Sequence, residues 1–258
     1  MYFNDIHILV YLGIGLIGCV VGQIVGLVNE RLMNHERIIE DGSLKKFKKD
    51  YTPYYGLMMV MFILYAGILY IYGIDELNWY ANVKLVSYFI LLPLLVSAFI
   101  IDMKKQIIPN RLVLTIFEVG LLVTFFEGIM SPTGTSLALN RFEGMFAGAG
   151  IFLLITLIGG LVAGREAMGM GDVKLMGAIG VFFGLRDIVA ISILSFLIGA
   201  VISLLLLIFK VKRSDEYIPF GPFIVVSAIL AMIIPEEALF GCLWALFSGK
   251  WLISMMNK

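Results

Sequence analysis

Apolar runs of about twenty residues recur along this chain, and no other feature limits so sharply what it can fold into. A hydrocarbon core of ~30 Å is crossed by ~20 apolar residues in helical conformation, and six runs meet that length. They are residues 6–28, 54–72, 83–101, 112–130, 144–163 and 188–209. Two shorter runs, 173–185 and 220–234, and an interrupted one, 237–255, follow the same composition. Hydrophobic side chains make up 60% of the chain, before its 27 glycines are added, against ~45–50% apolar residues in a soluble domain. A water-soluble fold is excluded. Inside a bilayer every backbone polar group must be satisfied within the protein, so the runs are read as helices. The expected fold is all-α, a polytopic integral membrane helical bundle of about eight transmembrane helices, with a ninth left open at the C-terminal end.

Net charge is zero, so bulk charge marks the chain for neither nucleic acid nor acidic partners, and the information lies in where the charges fall. Alternate connections carry fourteen Lys and Arg: Arg31, Arg37, Lys45, Lys46, Lys48 and Lys49; Lys104, Lys105 and Arg111; Arg165 and Lys174; Lys210, Lys212 and Arg213. The opposite set has three, Lys84, Arg141 and Arg186. By the positive-inside rule the N-terminus lies outside and the four basic connections face the cytoplasm. The same parity makes 173–185 a crossing, although thirteen residues reach only ~20 Å; local bilayer thinning or tilt is the expected accommodation. The first apolar run is too long, and its flank too poor in basic residues, for a cleaved signal peptide, so it is read as a retained span. Cys19 and Cys242 sit alone inside apolar runs and read as helix packing. His7 and His35 are too few and too far apart for a catalytic triad. The lysine cluster at 45–49 suits either an anionic lipid surface or a solvated orientation signal.

Two acids stand at span ends in unusual company. Asp102 closes the third run, ahead of Ile108-Pro109-Asn110, and Asp172 opens the short one in Met168-Gly169-Met170-Gly171-Asp172-Val173-Lys174. Counted by crossings, both lie at the cytoplasmic surface. Two carboxyls at one depth suit acid and base attack on an amide, one taking a proton from water while the other protonates the carbonyl oxygen. A close pair cannot ionise twice cheaply and would share one proton. Helix polarity favours negative charge on Asp172, at a helix N-terminus, over Asp102, at a C-terminus. Gly169 and Gly171, without Cβ atoms, could take positive φ and let a peptide approach. Taken singly, each acid also has a plainer reading: Asp102 as a charge that stops a span, Asp172 as an N-cap. Lys174 either acts on Asp172 or extends to lipid headgroups or substrate.

At these residues the chain resembles the type IV prepilin peptidases, membrane aspartyl proteases of the GxGD type. The block from Gly164 to Gly180, Gly-Arg-Glu-Ala-Met-Gly-Met-Gly-Asp-Val-Lys-Leu-Met-Gly-Ala-Ile-Gly, is similar to the family's core almost position by position. Asp102 with Ile108-Pro109-Asn110 resembles its first aspartate motif, and Ile218-Pro219-Phe220-Gly221-Pro222-Phe223 its late proline and glycine block. The resemblance implies that Asp102 and Asp172 are the catalytic pair, that Gly169 and Gly171 shape the second motif, and that Pro219 and Gly221 shape the wall of the site. It implies an aspartic endopeptidase of a bacterial inner membrane that removes the leader from type IV prepilin or pseudopilin precursors at the cytoplasmic surface. Many such enzymes also N-methylate the new terminus with S-adenosylmethionine.

The N-terminal part departs from the pattern. Gly26 stands where an Asn is usual and Met33 where a Pro is usual, and the first basic loop has none of the family's paired Cys-x-x-Cys motifs. A zinc site needs four ligands that His35 alone does not supply, so no zinc is expected and methyl transfer stays open. Residues 1–53 are accordingly set apart from a peptidase domain at 54–258. Two other functions remain: a related GxGD peptidase acting on archaeal flagellin-like precursors, and a transporter or structural subunit whose acids bind cations.

Overall fold

The computed structural model describes residues 2–3, 6–34, 53–74, 79–131, 133–163, 168–209, 218–235, 237–241 and 243. The basic residues Arg37, Lys45, Lys46, Lys48, Lys49, Arg165, Lys210, Lys212 and Arg213, together with His35, Cys242 and most of the run at 237–255, lie outside them. Residues 237–241 and 243 are helical, and a two-residue strand pair, β1 (Tyr2–Phe3) with β2 (Ile6–His7), precedes eight longer helices. These are α1 (Ile8–Met33), α2 (Tyr55–Tyr72), α3 (Trp79–Lys105), α4 (Asn110–Met130), α5 (Gly134–Ala163), α6 (Met170–Phe183), α7 (Leu185–Ile208) and α8 (Gly221–Ile233). Six of them, all but α6 and α8, are long and apolar enough to cross a membrane. The chain is a helical, multi-pass membrane protein. Two compact units divide it, 1–134 and 135–258, with the boundary between α4 and α5. Residue 53, where the motif reading set its boundary, lies between α1 and α2, and these two helices pack against each other.

In the first unit α1 lies against α2 through glycines. A Cβ on Gly22 would stand 2.7 Å from the Leu57 carbonyl oxygen, and one on Gly26 would collide with the Tyr54 ring. With no hydrophobic drive between helices in lipid, such close backbone approach is what holds them together. Gln23 adds a polar clasp: its Oε1 accepts the Tyr54 N–H at 2.9 Å. His7 caps α1, its Nδ1 accepting the Leu9 N–H at 3.3 Å.

Pro93 lies inside α3 and has no N–H to give the Phe89 carbonyl one turn earlier. Tyr65 of α2 supplies the missing donor. Its hydroxyl donates to the Phe89 oxygen at 2.7 Å while its ring stacks on the Phe89 ring, centroids 4.8 Å apart. Tyr65→Phe keeps the ring and strands that carbonyl in apolar surroundings. The expected cost is about 1–3 kcal/mol, read as a lower melting temperature of the detergent-purified protein.

In the second unit α6 is the inner helix. Its side chains are buried almost all round, Leu175, Met176 and Ile179 completely. The expected bilayer thinning is therefore not required: a helix clothed by protein has no lipid thickness to match. Its N-terminus lies at Met170 and its last residue is Phe183. Gly184, at φ +84° and ψ −179°, then turns the chain directly into α7. That region of backbone space belongs to glycine, so Gly184→Ala should cost about 1–3 kcal/mol, measured in the same melting assay.

The helix α5 begins ten residues before the apolar run at 144–163. Arg141, counted in the sequence as a loop charge, is a buried helical residue whose Nη1 donates to the Val181 carbonyl at 3.4 Å. Beside it the Asn140 Oδ1 accepts the Leu185 N–H at 3.2 Å and so caps α7. Lys84 and Arg186, the other two of that set, lie over aromatic rings: Lys84 over Tyr72 and Tyr88 at 5.9 and 5.8 Å, Arg186 over Phe240 at 4.6 Å.

Candidate active site

Asp102 occupies the last turn of α3 and is only 4% exposed. Its backbone carbonyl accepts the Gln106 N–H at 2.8 Å, and Gln106 ends the helix in the left-handed region at φ 55°. Ile108 turns inward and is buried. Pro109 then takes extended backbone as the N-cap of α4, its carbonyl accepting from Leu112 and Val113 at 3.0 and 3.2 Å. The Ile-Pro-Asn run is thus a reversal between two packed helices, and it holds the end of α3 where a carboxyl can be covered without leaving the helix.

Asp172 is the third residue of α6 and is likewise 4% exposed. Gly169, not Asp172, is the N-cap; it is extended at φ −69° and provides no side-chain cap, and its carbonyl accepts the Asp172 N–H at 3.0 Å. The N-cap role considered for Asp172 is therefore taken by another residue. Neither Gly169 nor Gly171 adopts positive φ, so the backbone freedom expected of them is not what this turn uses. An acid in the first turn meets the positive end of the helix dipole. Lys174, one turn in, projects to the exposed side.

The seam beneath Asp172 consists of the next glycines of the block. A Cβ on Gly144 of α5 would stand 2.7 Å from the Gly180 carbonyl oxygen, and one on Gly148 2.8 Å from that of Met176. Gly177 faces the Ala149 methyl at 3.2 Å. These contacts lock the height of α6 against α5, and with it the height of the carboxyl two turns away.

Pro219 and Gly221 start α8, which packs on α6 and α7. Both are buried. Successive crossings bring the start of α8 to the end of the unit at which α6 starts, so Asp172, Gly169, Gly171, Lys174, Pro219 and Gly221 share one end. The aromatic residues around them were not singled out from the sequence. Phe220 is the N-cap of α8, and its ring meets Phe152, Phe196 and Phe223 at centroid distances of 5.9, 5.1 and 5.6 Å. Gly199 of α7 leaves the space these rings fill. Phe152 is wholly buried, and Phe152→Ala should cost about 3–5 kcal/mol of stability, measured by thermal denaturation.

Glu127, fully buried near the Met130 end of α4, is a third buried acid, which the sequence reading passed over. Its signal was an acid inside an apolar run, but it stands at the opposite end of α4 from the Pro109 reversal. Among the described residues no three His, Cys, Asp or Glu side chains are grouped as metal ligands would be.

Residues 89–204 match the type IV leader peptidase family, a segment that contains both Asp102 and Asp172. A curated relative from Legionella pneumophila, named prepilin leader peptidase/N-methyltransferase, is 31% identical over 164 residues, 60% of this chain and 53% of its own. Relatives of the same name from Aeromonas salmonicida and Pseudomonas aeruginosa are 30% identical, each over 54% of this chain and 46% of their own. The chain spans about half the length of the curated relatives it matches. No solved structure matches it.

Proposed function

Because residues 89–204 match the type IV leader peptidase family, we propose that this chain is a membrane aspartic endopeptidase that removes the leader from prepilin or pseudopilin precursors. The observation that carries the reading is the pair of buried carboxyls inside that segment, each at the end of a helix and each backed by its own motif. The excess of Lys and Arg on alternate connections supports a cutting face on the cytoplasmic side, and the proposed membrane is a bacterial inner one.

In the proposed reaction Asp172 takes a proton from water, whose oxygen attacks the scissile carbonyl carbon, while Asp102 donates a proton to the carbonyl oxygen. The tetrahedral adduct collapses as its C–N bond breaks; the leaving nitrogen takes up a proton and Asp102 is reprotonated. Helix polarity divides the roles: the first turn of α6 favours negative charge and the last turn of α3 does not. A helical amide has its hydrogen bonds occupied, so the substrate must unwind before attack. Cutting beside its apolar segment, at the membrane surface, lowers that cost and shortens the path for water.

The relatives' name adds methyl transfer, for which S-adenosylmethionine would be the donor. No set of the described residues stands out as fitting that molecule, so no step is derived through it. The test is to reconstitute the chain with a prepilin-type precursor and weigh the processed N-terminus. Scission after the leader supports the proteolytic reading, and a further gain of one methyl group would establish the second activity. An intact precursor, with cation flux that Asp102→Asn and Asp172→Asn both abolish, would make the chain a transporter instead.

A further inference from the structure

Asn29 of α1 is 2% exposed, and neither its Nδ2 nor its Oδ1 has a hydrogen-bond partner. A buried amide with both ends unmet is destabilising, so the fold alone gains nothing from an Asn over a Leu there. Its position is specific. It lies three residues beyond Gly26 and seven beyond Gly22, on the helix face that those glycines turn to α2. Gly26 sits under Tyr54, one residue before α2 begins, so Asn29 is about one turn, ~4.5 Å, past the level at which α2 starts. The helices α1 and α3 pack together and, as the first and third crossings, run in the same direction. Asn29 lies in the last turns of α1 and Asp102 in the last turn of α3. The unmet carboxamide and the candidate catalytic carboxyl therefore share one end of two neighbouring parallel helices.

We infer that Asn29 is a substrate anchor, its Nδ2 donating to the carbonyl and its Oδ1 accepting from the N–H of a backbone amide of the precursor near the scissile bond. The inference rests on the proteolytic reading. A carboxamide offers one donor and one acceptor side by side, the complement of a backbone peptide group. A helical segment has both of those groups occupied, so only an unwound stretch can fill the site, and unwinding is what cleavage requires. Asn29 thereby selects the extended form of the chain beside Asp102.

The experiment uses the full chain in proteoliposomes with a purified prepilin-type precursor, comparing wild type with Asn29→Leu, close in size and without polar atoms. Two neutral hydrogen bonds correspond to a KM higher by roughly 10–100-fold, with kcat within about threefold. The melting temperature of the substrate-free protein should stay level or rise, because an unmet amide has been removed. An unchanged KM, a fall confined to kcat, or a lower melting temperature would overturn the anchor, the last because it would show Asn29 partnered within the fold. A second arm measures affinity for labelled precursor in an Asp172→Asn background, with and without Asn29→Leu, and needs no turnover. If wild type binds precursor and cuts nothing, the proteolytic reading fails while the anchor is still decided by this arm. Equal affinities there sink the anchor alone.

Discussion

Replacing Asp172 by Asn should lower precursor cleavage by about 10³–10⁴-fold, the scale of a lost general base, while the protein still inserts and melts cooperatively. The amide keeps the shape of the side chain and its place in the first turn of α6 but cannot accept the proton from water. Asp102→Asn should fall by a similar factor, because a carboxamide has no acidic proton to pass to the carbonyl oxygen. Residues that act as one unit are not additive, so the double variant should cleave no more slowly than the worse single one. Initial rates on a reconstituted precursor measure this. Normal cleavage by either variant in a correctly inserted protein would remove that carboxyl from the chemistry. A double variant slower by the product of the two single losses would show that the acids act independently and not as a pair.

The second large effect is structural and reaches the same carboxyl through the helix that bears it. Gly180→Leu should destabilise the second unit by about 3 kcal/mol or more, because the new side chain meets the Gly144 backbone, which cannot turn aside as a flexible side chain would. A Cβ alone at position 180 would already stand 2.6 Å from the Gly144 carbonyl carbon. If α6 shifts to relieve the clash, Asp172 shifts with it, so any protein that survives purification should cleave poorly. Gly150→Ala is the control: it lies on α5, the helix that carries Gly144, with nothing within 4 Å of a new Cβ, and should melt and cleave as wild type does. Thermal denaturation with parallel cleavage rates separates the two. A Gly180→Leu protein as stable as the Gly150→Ala control would mean that the α5–α6 seam is not tightly packed.

Much of this molecule is legible in its sequence, and unevenly so. The six long helices coincide with apolar runs, because the requirement that lipid imposes is compositional and each run meets it alone. Asp102 and Asp172 stand out because an acid at the edge of such a run is rare. The N-terminal extension of α5 is not legible in that way, since hydropathy marks only the part of a helix that faces lipid. Arg141 consequently reads as a loop charge, although it is a buried tie to the Val181 carbonyl. The glycines of the block suggested a flexible approach to Asp172, but φ is ordinary at Gly169 and Gly171. The glycines that matter to packing lie further along, at 177 and 180, against α5.

The sequence by itself determined that the chain is a bundle of membrane-crossing helices, where the long spans lie, and which two acids stand at their ends. Solvation and chemical rarity act residue by residue and need no partner. Only the tertiary structure decided that the fourteen-residue α6 is enclosed by protein, that Tyr65 completes the hydrogen bond Pro93 leaves open, and that Asn29 is buried with its carboxamide unmet. Those outcomes depend on which helix face meets which, and segments equally apolar on every side carry almost no information about that.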